Sequence, residues 1–129
     1  MEQTQYLIDS NSIIDYLGKK LRPAGMEFMN QIIDNVPNVS VISKIEVLGF
    51  NTTEQHYKLL SDFMNDASVL DLTEPIVEIC IDLRKKNKTK LPDAIIASTA
   101  LVYDLVLITR NIPDFNNIQG LKVINPHSL

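Results

Sequence analysis

The sequence predicts an α/β fold, with a mostly parallel central sheet flanked by helices. Two observations predict it. Short apolar runs, Tyr6-Leu7-Ile8 and Leu105-Val106-Leu107-Ile108 foremost, alternate with longer stretches whose apolar residues return at helical spacing. Carboxyl-bearing residues also stand just beyond these two runs, Asp9 after the first and Asp114 after the second. Parallel sheets of this kind hold their ligands beyond the carboxyl ends of the strands.

The elements follow in order. Residues 5–8 read as a short buried strand. Asp9-Ser10-Asn11 supplies turn and helix-capping chemistry, and a helix continues through Ile13, Ile14 and Leu17 until Gly18 ends it. A loop through Arg22-Pro23 leads to a second helix over residues 25–35, with Met26, Met29, Ile32 and Ile33 on one face. Pro37 punctuates. Residues 39–42 read as a second strand, and Ser43 as the cap of a short helix that carries Glu46 and ends at Gly49. Thr52-Thr53-Glu54 opens a further helix with Tyr57, Leu60 and Met64 at core spacing. Residues 68–70 make a short strand. Thr73 is an expected N-cap, Pro75 suits a first turn, and Ile76, Ile79, Cys80 and Leu83 line the helix that follows. Pro92 opens a helix whose small residues Ala94, Ala97 and Ser98 share a face with Leu101, so this helix lies close on the sheet. Residues 105–108 are the clearest buried strand, and residues 122–124 a final one before Pro126.

The bulk composition narrows the class. The 129 residues suit one domain, residues 1–129, with 45% hydrophobic and 22% charged content. No apolar run approaches the roughly 20 residues that span a bilayer, and no secretory leader pattern opens the chain. The single Cys80 excludes an internal disulfide and a multi-cysteine zinc site; a cytoplasmic location is the expectation. His56 and His127 have no partners at metal-ligand or triad spacing and read as surface residues. No phosphate-cradling glycine motif is present.

Net charge is −4, which by itself argues against a nucleic-acid partner. Its distribution argues the other way. Arg84, Lys85, Lys86, Lys88 and Lys90 fall within seven residues, leaving seven basic against sixteen acidic side chains elsewhere. Such a stretch, ending just before Asp93, suits a polyanion beside a site; it equally suits a helix end, where lysines complement the dipole.

Four carboxylates carry the chemistry: Asp9, Glu46, Asp93 and Asp114. Converging carboxylates repel one another, so such a group makes sense around a hard cation. Each also has a plainer reading. Asp9 and Asp93 suit helix starts, Asp114 suits a turn beside Pro113, and Glu46 suits a polar helix face, although Ile45, Val47 and Leu48 flank it. Asn11, Thr109 and Asn111 are candidate supporting groups that orient the carboxylates or a bound phosphate.

The ordered set of segments Tyr6-Leu7-Ile8-Asp9-Ser10-Asn11, Ser43-Lys44-Ile45-Glu46, Pro92-Asp93-Ala94-Ile95-Ile96-Ala97, residues 107–115 and residues 120–126 resembles the PIN domain. Within that family it resembles the VapC-type ribonuclease toxins of toxin–antitoxin pairs. The resemblance implies a PIN-like three-layer sandwich and an endoribonuclease dependent on magnesium or manganese. Asp9, Glu46 and Asp93 would hold the metal, and Asp114, with Thr109 and Asn111, would form the fourth corner. Asn111 stands where many members have aspartate, so the resemblance supports one metal position more firmly than two. It further implies an RNA substrate (transfer RNA is a frequent target in the family), a cognate antitoxin and a homodimer. Arg84, Lys85, Lys86, Lys88, Lys90 and Arg110 would engage the RNA backbone.

Rival readings are a housekeeping RNA-processing nuclease, a dehalogenase-like phosphatase and a non-catalytic receiver-like domain. The phosphatase pattern wants a second aspartate where Asn11 stands, and a receiver wants paired acids after its first strand. Neither pattern is met.

Overall fold

The computed structural model describes residues 4–129; the first residues of the stretch read above as lacking a leader lie outside them. Among the described residues, five strands form one sheet: β1 (Tyr6–Ile8), β2 (Asn38–Ser40), β3 (Ser68–Leu70), β4 (Val106–Ile108) and β5 (Val123–Ile124). Their order is β3-β2-β1-β4-β5, and every pairing is parallel. The chain builds outward from β1 to β3, then returns to the other side of β1 with β4. The reversal of strand order therefore falls between β1 and β4, and in open α/β sheets that crevice is where ligands bind.

Alternation along the central strands divides the core. Ile8 and Ile108 face one side, where they join Ile13 of helix α1 (Ser10–Leu17), Met29 and Ile32 of α2 (Pro23–Asp34), Val47 of α3 (Val41–Leu48), and Leu60 and Phe63 of α4 (Glu54–Asp66). Leu7 and Leu107 face the other, against Leu83 of α5 (Glu74–Lys86), Ile96, Ala97 and Ala100 of α6 (Leu91–Tyr103), and Phe115 of α7 (Ile112–Phe115). A period of two along a strand produces this two-sided core, and the result is the three-layer sandwich expected. Helix α6 is central, as its small residues predict: all seven residues from Ala94 to Ala100 are buried.

Several boundaries differ from the sequence reading. The second strand ends at Ser40, and Val41 and Ile42 already belong to α3. Ser40 is the cap, its Oγ accepting the Ile42 N–H at 3.2 Å, while Ser43 lies buried inside the helix. Helix α2 begins at Pro23 instead of residue 25, because proline's fixed φ suits the first helical position. Thr73 precedes α5 but makes no side-chain cap bond. Tyr57 and Ile79, placed at core spacing, are 44% and 40% exposed. The stretch around Asp114, read as loop, contains the short helix α7.

The last segment is the 3-10 turn Pro126–Ser128, which packs against α2. A Cβ on Gly25 would lie 2.4 Å from the Pro126 carbonyl oxygen, so only glycine admits this approach.

Candidate active site

Asp9 sits one residue beyond β1, and its N–H still donates to the Ile108 carbonyl at 2.9 Å. The sheet ladder thus fixes its backbone, and the side chain caps α1 by accepting the Ser10 N–H at 2.8 Å. Its other oxygen accepts the Thr109 hydroxyl at 2.9 Å and the Asn11 amide at 3.1 Å. An ionised carboxylate offers about four lone-pair directions; beside these three bonds the Ser10 hydroxyl lies 3.5 Å from the first oxygen, a long fourth contact. Asp9 is only 4% exposed. Burial raises its pKa from 3.8, and the bonds from Thr109, Ser10 and Asn11 oppose that rise without cancelling it.

Thr109 stands at the end of β4, wholly buried. Its oxygen accepts the Asn11 amide at 3.2 Å and the Asn111 N–H at 3.1 Å. Both acceptor directions are then filled by groups that cannot reverse, so the single hydroxyl proton must point at Asp9. Asn11 in turn accepts the Arg110 N–H through Oδ1 at 3.2 Å. Asn11, Thr109 and Asn111, expected as supporting groups, are joined in one network behind Asp9.

Glu46 projects from α3 at the exposed rim, and its Oε1 accepts the Ser10 hydroxyl at 3.2 Å. Ser10, bonded to Asp9 through its N–H, thereby reaches a second carboxylate 36 positions further along the chain. Partial desolvation raises the Glu46 pKa from 4.5, and the Asp9 charge adds to the rise. Asp93 lies half-buried in the first turn of α6. Its pKa is raised from 3.8 by desolvation, then by the charges of Asp114, Asp9 and Glu46; Lys90 alone counters. Asp114, exposed in α7, completes the group.

Asp93 therefore lies within electrostatic reach of the other three expected carboxylates, and Glu46 within reach of Asp9, at the β1–β4 switch point. They meet as a field and not as a closed cage: among the described residues, no three of His, Cys, Asp or Glu stand at metal-holding separations. Their donor chemistry suits a hard divalent cation, being all-oxygen and countered by Lys90 alone.

The basic stretch divides. Arg84, Lys85 and Lys86 occupy the last turn of α5, where they complement the dipole, and Lys86 pairs with Asp82 at 3.1 Å. Lys88 and Lys90 are exposed in the following loop, and only Lys90 acts on the carboxylate group. Arg110 is not a free surface cation, because its guanidinium bonds both oxygens of Asp15 at 3.0 and 3.2 Å. His127, read as a partnerless surface residue, also donates to Asp15 through Nε2, at 2.8 Å. Asp15 was missed. The argument that singled out Glu46 applies to it, since it stands among Ile13, Ile14, Tyr16 and Leu17.

The PIN domain family model matches residues 6–121. The chain is similar to a chain of a toxin–antitoxin complex from Klebsiella pneumoniae, at 30% identity and TM-score 0.72, over 95% of this chain and 98% of that one. It is similar to a chain of VapBC-1 from nontypeable Haemophilus influenzae at 26% identity and TM-score 0.78, over 95% and 98%. DNA-bound VapBC from Salmonella typhimurium shares the fold at TM-score 0.80 and 19% identity, over 96% and 99%. No curated protein matches. From the match over nearly the whole sheet, the chain belongs to the PIN-domain family.

Proposed function

We propose that this chain is a metal-dependent endoribonuclease acting as the toxin of a toxin–antitoxin pair. One observation carries the reading: Asp93 feels three other carboxylates and a single lysine, an arrangement that favours a divalent cation among them. Asp9, Asp93 and Glu46 would hold the ion, Mg²⁺ or Mn²⁺, with Asp114 at the fourth corner. When bound, such an ion supplies a Lewis acid for a phosphodiester oxygen and makes water nucleophilic near neutral pH.

The chain's own residues do the remainder. Thr109 and Asn11 hold Asp9 in one orientation. Glu46, at the rim, would complete the shell or orient the attacking water. Arg84, Lys85, Lys88 and Lys90 would meet the RNA backbone. The similarity to chains of toxin–antitoxin complexes supports an antitoxin partner. The homodimer belongs to the same reading, and sedimentation of the purified chain tests it. Among the described residues no helix is long and apolar enough to cross a membrane.

The test is RNA cleavage by the purified chain with Mg²⁺, with EDTA, and in Asp9→Asn. Cleavage should require the ion and vanish in the variant while the fold is retained. Cleavage at the wild-type rate in EDTA or in Asp9→Asn refutes the proposal. A housekeeping processing role shares this chemistry; a neighbouring antitoxin gene whose product blocks cleavage separates the two.

A further inference from the structure

We infer that Asp15 is a positioning residue: through Arg110 it locks the segment from Thr109 to Asn111 against the candidate carboxylate site. The inference rests on the nuclease reading for its catalytic consequence alone.

Asp15 is 2% exposed and belongs to none of the chemistry above. It lies one helical turn beyond Asn11, so the two side chains share a face of α1. Both grip the same residue. Asn11 Oδ1 accepts the Arg110 backbone N–H at 3.2 Å, and the Asp15 carboxylate accepts its guanidinium through two bonds. Arg110 stands between Thr109, whose hydroxyl is aimed at Asp9, and Asn111, which begins the helix carrying Asp114. Fixing Arg110 at both backbone and side chain fixes its two neighbours.

His127 secures Asp15 from the other side. The 3-10 turn that carries it is seated by the close approach of Pro126 to Gly25, and Asn125 Oδ1 accepts the His127 N–H at 2.9 Å. Asp15 thus has two fixed donors and little rotational freedom. The pair is buried at Asp15 but open to solvent at Arg110, so its net contribution to stability is small. What this one supplies is position, since one guanidinium nitrogen of Arg110 is held between both Asp15 oxygens.

The experiment compares amide hydrogen exchange in wild type, Asp15→Asn and Arg110→Met by NMR, together with cleavage kinetics on a short single-stranded RNA. Exchange of the Arg110 and Asn111 amides should rise about tenfold in both variants. That of Ser68, bonded to Pro37 away from this network, should not change. In Asp15→Asn, kcat should fall about tenfold with KM within about twofold. Unchanged exchange at Arg110 and Asn111, or a parallel rise at Ser68, overturns the inference. Arg110→Met cuts the link from the exposed side, so the comparison stands even where Asp15→Asn fails to fold. A wild type that cuts no RNA would sink the nuclease reading and leave the exchange result to judge Asp15.

Discussion

Replacing Thr109 by valine removes one hydroxyl and almost no volume, which makes it a sharp probe of the candidate site. The lost proton was donated to a buried carboxylate at 2.9 Å. A bond to a charged group contributes about 1.5–3 kcal/mol. The acceptors lost to Asn11 and Asn111 add less, because Asn111 is exposed and water replaces its partner. A destabilisation of about 2–3 kcal/mol is therefore expected in urea unfolding near neutral pH. The penalty should depend on pH, with a definite sign. The Thr109 bond favours ionised Asp9, opposing the rise caused by burial. Its removal raises the Asp9 pKa further. The gap between wild type and variant should then be small below the ordinary value of 3.8 and widen as pH rises through the raised value in the folded protein. Thr109→Ser keeps the hydroxyl and should cost less than half as much. An equal loss for serine and valine, or a pH-independent loss, would refute the assigned direction of the hydroxyl.

Asp114→Asn should lower the Asp93 pKa and raise stability slightly without metal, by less than about 1 kcal/mol for so exposed a pair, while weakening the thermal stabilisation by Mg²⁺. Asp93 with its raised pKa contributes stability that is full below 3.8 and is lost as pH rises through its folded value, so the metal-free wild type should lose part of its stability over that window. Ser43→Ala should stabilise by about 1 kcal/mol in denaturant titration, since it removes a buried hydroxyl without a partner. Gly25→Ala should destabilise by about 1–3 kcal/mol by forcing the Pro126 carbonyl away, and should also loosen His127 from Asp15, visible as a shift of the His127 imidazole resonances.

The layers were legible because burial on both faces forces apolar runs such as Leu105 to Ile108, and because the small residues of α6 announce a helix pressed on the sheet. The carboxylates were legible one at a time, as aspartates where strands and helices meet. Their arrangement was not. Whether Glu46 reaches Asp9 depends on the Ser10 hydroxyl between them, and a sequence pattern carries no such distance. The Asp15 network escaped for the same reason: its members lie 95 and 112 positions apart, and each alone reads as an ordinary surface or helix residue. Ser40 and Ser43 are both plausible caps by type, and only the three-residue length of β2 decides between them.

The pairing of β1 with β4 has a consequence for synthesis. The hydroxyl that orients Asp9 is synthesised 100 positions after it. A nascent chain therefore carries a half-built centre until β4 has been made, and long-range parallel pairing of this sort is slow to close. Any product cut short before β4 lacks both the neighbouring strand and the threonine, so the carboxylate site cannot be assembled without them.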